Sequence, residues 1–146
     1  MARRRLNVSL NRGNAMHVTR VSIGKKKLVY VILADRKLEY EGGRSRIAYI
    51  GTTKKGLSRI SQSVAARAGD ILRIRGLREF DVRVITCPPR QRVKTWCKLE
   101  RAMLLVFRDI FGEPPWENSH GKRMKEADEF VYFRRKRVRQ IIEDLS

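Results

Sequence analysis

Leu28-Val29-Tyr30-Val31-Ile32-Leu33 is an unbroken run of β-branched, aromatic and aliphatic residues, and it predicts a buried strand. Before it, His17 to Ile23 alternates enough to predict a short strand, joined by a turn at Gly24-Lys25-Lys26-Lys27. After it, Asp35 to Arg46 is polar with Gly42-Gly43 as its hinge. It reads as a long hairpin tip leading into a second strand, Ile47 to Gly51. Leu57, Ile60, Val64 and Ala68 recur at helical spacing and predict a helix from Gly56 or Leu57 to Ala68. Thr52 or Thr53 is placed to cap its start, and Gly69 to end it. Asp70 to Leu77 reads as a second basic helical or turn segment, and Phe80 to Ile85 alternates as a third strand. Pro88-Pro89 then opens a long helix from about Gln91 to Phe111, and the stretch from Gly112 to Gly121 is a loop. A last helix from about Met124 to Leu145 carries Phe130, Phe133, Val138, Ile141 and Ile142. The pattern predicts one small α/β sandwich. Residues 1–15 form a basic arm, 16–121 the body, and 122–146 a basic helix packed on it.

Charge adds a partner to this picture. The 146-residue chain is 42% hydrophobic, enough for a packed core, yet has 34 Lys+Arg against 15 Asp+Glu, a net charge of +19. Such an excess points to a polyanion, nucleic acid first and an anionic membrane surface second. The apolar runs, such as Met103 to Phe107, are too short to cross a bilayer. The basic start Met1 to Arg5 lacks the apolar segment of a secretory signal. The basic last helix also lacks the broad apolar face that a membrane surface requires. Cys87 and Cys97 show no metal-type spacing, so a reduced intracellular chain is expected, cytoplasmic or nucleoid-associated.

Glu100 is the most informative single residue. On a helical wheel Val93, Trp96, Cys97, Met103, Leu104, Phe107 and Phe111 all fall within roughly 60° of it. A carboxylate in an apolar stripe is costly unless something compensates. It either pairs with a core-edge arginine or faces a cleft as a metal ligand or acid–base group. Tyr30 and Tyr49 sit on neighbouring strands, where tyrosines ordinarily pack their rings and make one hydrogen bond. Lys54, Lys55 and Arg59 surround the start of the first helix, a natural place for a phosphate. Together with loop residue Asn118 these side chains supply what phosphodiester hydrolysis needs. The requirements are a hard-oxygen ligand for Mg²⁺, a cation for the developing phosphorane charge and a phenol to relay a proton. His120 reads as an exposed loop histidine, and Trp116 as a lid on the core.

The set resembles the GIY-YIG nuclease family, from about Leu28 to Asn118. Leu28-Val29-Tyr30 stands where the first signature would be, and Tyr49-Ile50-Gly51 reproduces the second. Arg59, ten residues after Tyr49, has the offset of the family's arginine on the first helix. Lys98-Leu99-Glu100-Arg101 looks like the helix whose glutamate binds the metal, and Asn118 like the asparagine that follows it. The resemblance implies an α+β domain with an about three-stranded antiparallel sheet flanked by helices. It also implies a metal-dependent DNA endonuclease. Glu100 would hold Mg²⁺ or Mn²⁺, Arg59 would stabilise the transition state, Tyr30 or Tyr49 would help activate water, and Asn118 would position the site. The long stretch between the tyrosines, with Arg36, Lys37, Arg44 and Arg46, is either a DNA-contacting flap or a tolerated insertion.

Further cations are candidates for phosphate contact: Arg73, Arg75, Lys122 and the last-helix cluster Arg134, Arg135 and Arg137. The alternative function is a non-catalytic basic protein that binds DNA or RNA on the same fold. Target recognition would come from the hairpin, the last helix, a homodimer or a separate partner chain.

Overall fold

The computed structural model describes residues 5–10, 12–14, 17, 24–74 and 76–146. The strand expected over His17 to Ile23, apart from His17 itself, and Arg75 lie outside the described residues. The architecture is a small α+β domain. Strands β1 (Leu28–Tyr40), β2 (Gly43–Thr53) and β3 (Phe80–Ile85) form one antiparallel sheet in the order β2-β1-β3. Helices α1 (Leu57–Leu72), α2 (Thr95–Phe111), α3 (Glu129–Tyr132) and α4 (Arg135–Leu145) surround it. The apolar run of β1 fills the centre, buried from Leu28 through Ala34. α2 lies against β1 and β2 and carries α3 and α4, so Met103 and Phe107 share a core with Val138 and Ile142. No helix of the described residues is long and apolar enough to cross a membrane.

The polar stretch between the tyrosines forms the expected hairpin, with strand running almost to its tip. β1 and β2 continue through it, Leu38, Tyr40, Ser45 and Ile47 are buried, and the turn is confined to Glu41 and Gly42. The Tyr40 hydroxyl donates to the Ile47 carbonyl at 2.6 Å and accepts the Trp116 N–H at 3.2 Å. The tip docks on the end of α2, where the Gly42 N–H donates to the Phe111 carbonyl at 2.9 Å. A Cβ at Gly42 would stand 2.7 Å from the Ile110 carbonyl oxygen, a backbone atom that cannot step aside. Gly42→Ala should therefore lower the unfolding free energy by about 1–3 kcal/mol, read as a lower urea midpoint. The inner face of the ribbon is thus part of the core, while its Arg36, Lys37 and Arg44 stay exposed.

Four element boundaries differ from the pattern. α1 passes through exposed Gly69 to Leu72, because its last turn buries Ile71 completely and that burial outweighs a glycine's helix cost of about 1 kcal/mol. Past Leu72, Arg73 and Gly76 lie in turns. Neither Thr52 nor Thr53 caps α1. Both belong to β2, and Gly56 precedes the helix at φ 79°, with its N–H on the Lys26 carbonyl. α2 starts at Thr95 rather than Gln91, since Arg92 takes a left-handed φ of 62° inside a turn closed by Arg90 and Val93. The long last helix is two short ones. Arg108 Nη1 takes the Gly121 and Met124 carbonyls, and Arg101 Nη2 takes that of Lys125, which ties this backbone to α2. Phe133 is extended between α3 and α4.

Candidate active site

Tyr30 and Tyr49 meet because β1 and β2 pair with Tyr30 opposite Gly51, which shares its face of the sheet with Tyr49. The rings lie 5.7 Å apart, tilted by 45°. Glycine is required between them. A Cβ at Gly51 would stand 2.5 Å from the Tyr49 ring and 2.9 Å from Cζ of Tyr30.

α1 covers this pair with one face. Ser63 Oγ shares a 2.8 Å hydrogen bond with the Tyr30 hydroxyl, and Tyr30 is only 2% exposed. Arg67 lays its guanidinium 4.0 Å from the centroid of the Tyr49 ring and donates from Nη2 to the hydroxyl at 3.2 Å. Its Nε is buried and has no hydrogen-bond partner among the described residues. Arg59, Ser63 and Arg67 repeat every four residues and so share a helix face. Arg59 is the exposed end of that row, and its Nη1 donates to Gln62 Oε1 at 3.2 Å. The helix thus brings Ser63 and Arg67 onto the tyrosines and leaves Arg59 at the rim.

Glu100 arrives from α2 and is half-buried. Burial raises its carboxyl above the usual range, while the Thr52 side chain and the charges of Arg101 and His120 pull the other way. It joins no ion pair among the described residues, and its neighbour Arg101 binds Glu129 instead. Glu100 acts electrically on two groups. The Tyr49 phenol is pushed up to about 12, first by burial, then by Tyr30, with Glu100 adding to it against Arg67. The Cys97 thiol is raised by burial and by Glu100, against Lys94 and Lys54. Glu100 is therefore coupled electrically to Tyr49, Cys97 and His120, and Cys97 in turn to Lys54 and Lys94.

Asn118 bonds to backbone and not to the side chains of this cluster. It clamps the open edge of β2, its Oδ1 accepting the Ile50 N–H at 3.0 Å and its Nδ2 donating to the Ile50 carbonyl at 2.8 Å. Glu117 adds its N–H to the Ala48 carbonyl at 3.0 Å. An edge strand otherwise leaves these groups unpaired. The clamp holds Ile50 between Tyr49 and Gly51, so Asn118 fixes the β2 backbone beside the two tyrosines.

Comparison with protein-family models, curated proteins and solved structures finds no match for this chain.

Among the described residues no group of three or more His, Cys, Asp or Glu side chains could enclose a metal ion. A lone half-buried carboxylate does fit Mg²⁺, which keeps most of its waters and takes further oxygens from a bound phosphate. The remaining cations divide in two. Arg44 pairs with Glu39 at 2.9 Å, Arg46 with the Ala34 carbonyl and Asp81, Arg73 with Asp70, and Arg135 with Asp109 and Glu126, with Arg44, Arg73 and Arg135 still exposed. Lys54, Lys55, Lys122, Arg134 and Arg137 are exposed. Lys122 lines an open cleft of about 460 Å³ with Arg101, His120 and Arg123. His120 is exposed as expected, and Trp116 packs on Tyr40 at 5.8 Å while remaining 47% exposed.

Sequence reasoning missed Arg67 and the role of Thr52. The signal for Arg67 was present as the third member of the four-residue repeat begun by Arg59 and Ser63. Thr52 carried none, because its value depends on α2 arriving beside β2.

Proposed function

We propose that the protein is a metal-dependent endonuclease of the GIY-YIG type that hydrolyses phosphodiester bonds in DNA. The observation that carries this reading is the convergence of Tyr30, Tyr49 and the half-buried Glu100 from three separate elements at a basic rim. Mg²⁺ or Mn²⁺ held by Glu100 would supply Lewis-acid polarisation of a phosphate oxygen. The protein's own groups do the rest. The Tyr49 phenol, at about 12, stays protonated at neutral pH, so it serves as a hydrogen-bond partner and proton relay for the attacking water. Tyr30, tied to Ser63, orients Tyr49 through the ring contact. Arg59 is held at the rim by one exposed bond to Gln62 and is free to swing onto the developing phosphorane charge. Lys54 and Lys55 draw in the strand.

The test is cleavage of supercoiled plasmid in Mg²⁺ or Mn²⁺ at low salt, wild type beside Glu100→Ala. Cutting lost in the variant with binding kept supports the nuclease. In the same assay Gly51→Ala should cut on the order of a hundredfold more slowly, since a displacement of about 1 Å at the tyrosine rings is enough. An unchanged circular dichroism spectrum would assign that loss to the site.

One observation favours a second reading, a non-catalytic binder of DNA or RNA. The Tyr30 hydroxyl is committed to Ser63 and Arg59 is turned to Gln62. Tight binding without cutting in either protein would establish that reading and remove the enzyme.

A further inference from the structure

A second basic cleft opens at the start of α2, about 630 Å³ in volume, between the lysine turn before β1 and the segment after β3. Lys25, Lys26, Lys27 and Arg90 line it, with Trp96 and Pro89, and among the described residues no carboxylate does. None of the four cations joins an ion pair among the described residues. Lys27 instead holds its ammonium 4.6 Å from the Trp96 ring centroid. Trp96 lies four residues before Glu100 and shares its face of α2, one turn away. The lysine turn is fastened to the same region, because the Lys26 carbonyl accepts the Gly56 N–H at 2.9 Å just past Lys54 and Lys55.

We propose that this cleft binds one unstacked nucleotide of a single DNA strand, with its base on Trp96 and its phosphates on Lys25, Lys26 and Arg90. The volume exceeds what a phosphate alone fills and suits a nucleotide with its base. Entry exchanges partners favourably: a phosphate draws the Lys27 ammonium off the indole, and the base takes the ring face it leaves. Stacking on an aromatic ring requires a base released from its duplex, so the cleft selects DNA with an unpaired nucleotide. That the strand is DNA and that this nucleotide flanks the cut rest on the nuclease reading. The cleft itself does not.

The sequence has two tryptophans, Trp96 and Trp116. Trp116→Phe therefore leaves Trp96 as the only indole, and a short oligothymidylate added at low salt should quench its fluorescence to saturation. Trp96→Phe, which retains Trp116, should show no saturable quenching. Trp96→Ala should weaken binding roughly tenfold, the effect of losing one base stack. Lys25→Ala with Lys26→Ala should reduce the salt slope by about 0.7 for each phosphate no longer neutralised, and tests the cleft even if Trp96→Ala does not fold. Quenching that follows Trp116, unchanged affinity in Trp96→Ala, or an unchanged salt slope would overturn the proposal. So would equal quenching by thymidine monophosphate, or tighter binding of oligouridylate. Quenching by a protein that does not cut plasmid keeps the cleft and removes the nuclease; cutting without quenching of Trp96 does the reverse.

Discussion

Glu100→Gln should slow plasmid cleavage by on the order of a thousandfold or more and, at neutral pH, raise the melting temperature. The first effect follows, on the nuclease reading, from losing the carboxylate proposed to hold a divalent ion, whose charge stabilisation amounts to several kcal/mol. The second follows from burial. The carboxyl of Glu100 is raised in the folded protein, so protonation is what the fold favours. Its contribution to stability is present at pH below the ordinary carboxylate range and is lost as pH rises through the raised value. At pH 7 the wild type bears an ionised, half-buried group without an ion pair among the described residues, and glutamine removes that charge. The gain in melting temperature should shrink as the pH is lowered toward 4, where wild type and variant become alike. DNA binding should hold or tighten, since a negative charge has left the rim. A variant that melts lower than wild type would mean that Glu100 is compensated and stabilising. One that cuts at the wild-type rate would exclude it as a metal ligand.

Arg101→Ala should cost about 3 kcal/mol of folding stability. Glu129 is 1% exposed, with Oε1 2.6 Å from Arg101 Nε and Oε2 accepting the Ala127 N–H at 2.8 Å. Burial alone would raise this carboxyl, but Arg101 and the backbone N–H groups outweigh it and hold it below the usual range. Removing one partner of a buried pair typically costs 3–5 kcal/mol, because the remaining charge is stranded. The low end applies here, since the Arg101 side chain is 37% exposed. A depressed carboxyl contributes stability above its unfolded value and loses it as pH falls through the folded one. The gap between wild type and Arg101→Ala in urea unfolding should therefore close in acid. Adding Glu129→Gln to Arg101→Ala should recover most of the loss at pH 7. A loss below about 1 kcal/mol, or no recovery by the second substitution, would rule out a stranded charge as the cause.

Local chemistry was sufficient for much of the molecule. The β-branched run of β1, the alternation of β3 and the stripe of α2 each announce an element whose burial the fold then realises, because period and hydrophobicity are properties of neighbouring residues. The Tyr49-Ile50-Gly51 triplet likewise marked the place where two rings need a missing Cβ. The same sequence announced a hairpin at Asp35 to Arg46, but not that Leu38, Tyr40 and Ser45 within it are buried, because that depends on packing after folding. Nor could it rank the acids. Glu100 stood out by its wheel position, yet the fully buried carboxylate is Glu129, in a segment that looked polar and helical until Arg101 reached it.

The sequence by itself determined the sheet-forming runs, the excess of positive charge and the residue types of the candidate site. Only the tertiary structure decided which of them meet. It set Arg67 over Tyr49, turned Asn118 into an edge clamp, left Arg59 at the rim and opened the lysine cleft one turn from Glu100. Those outcomes depend on how β2, α1 and α2 pack against one another, and long-range packing leaves no periodic trace in the chain.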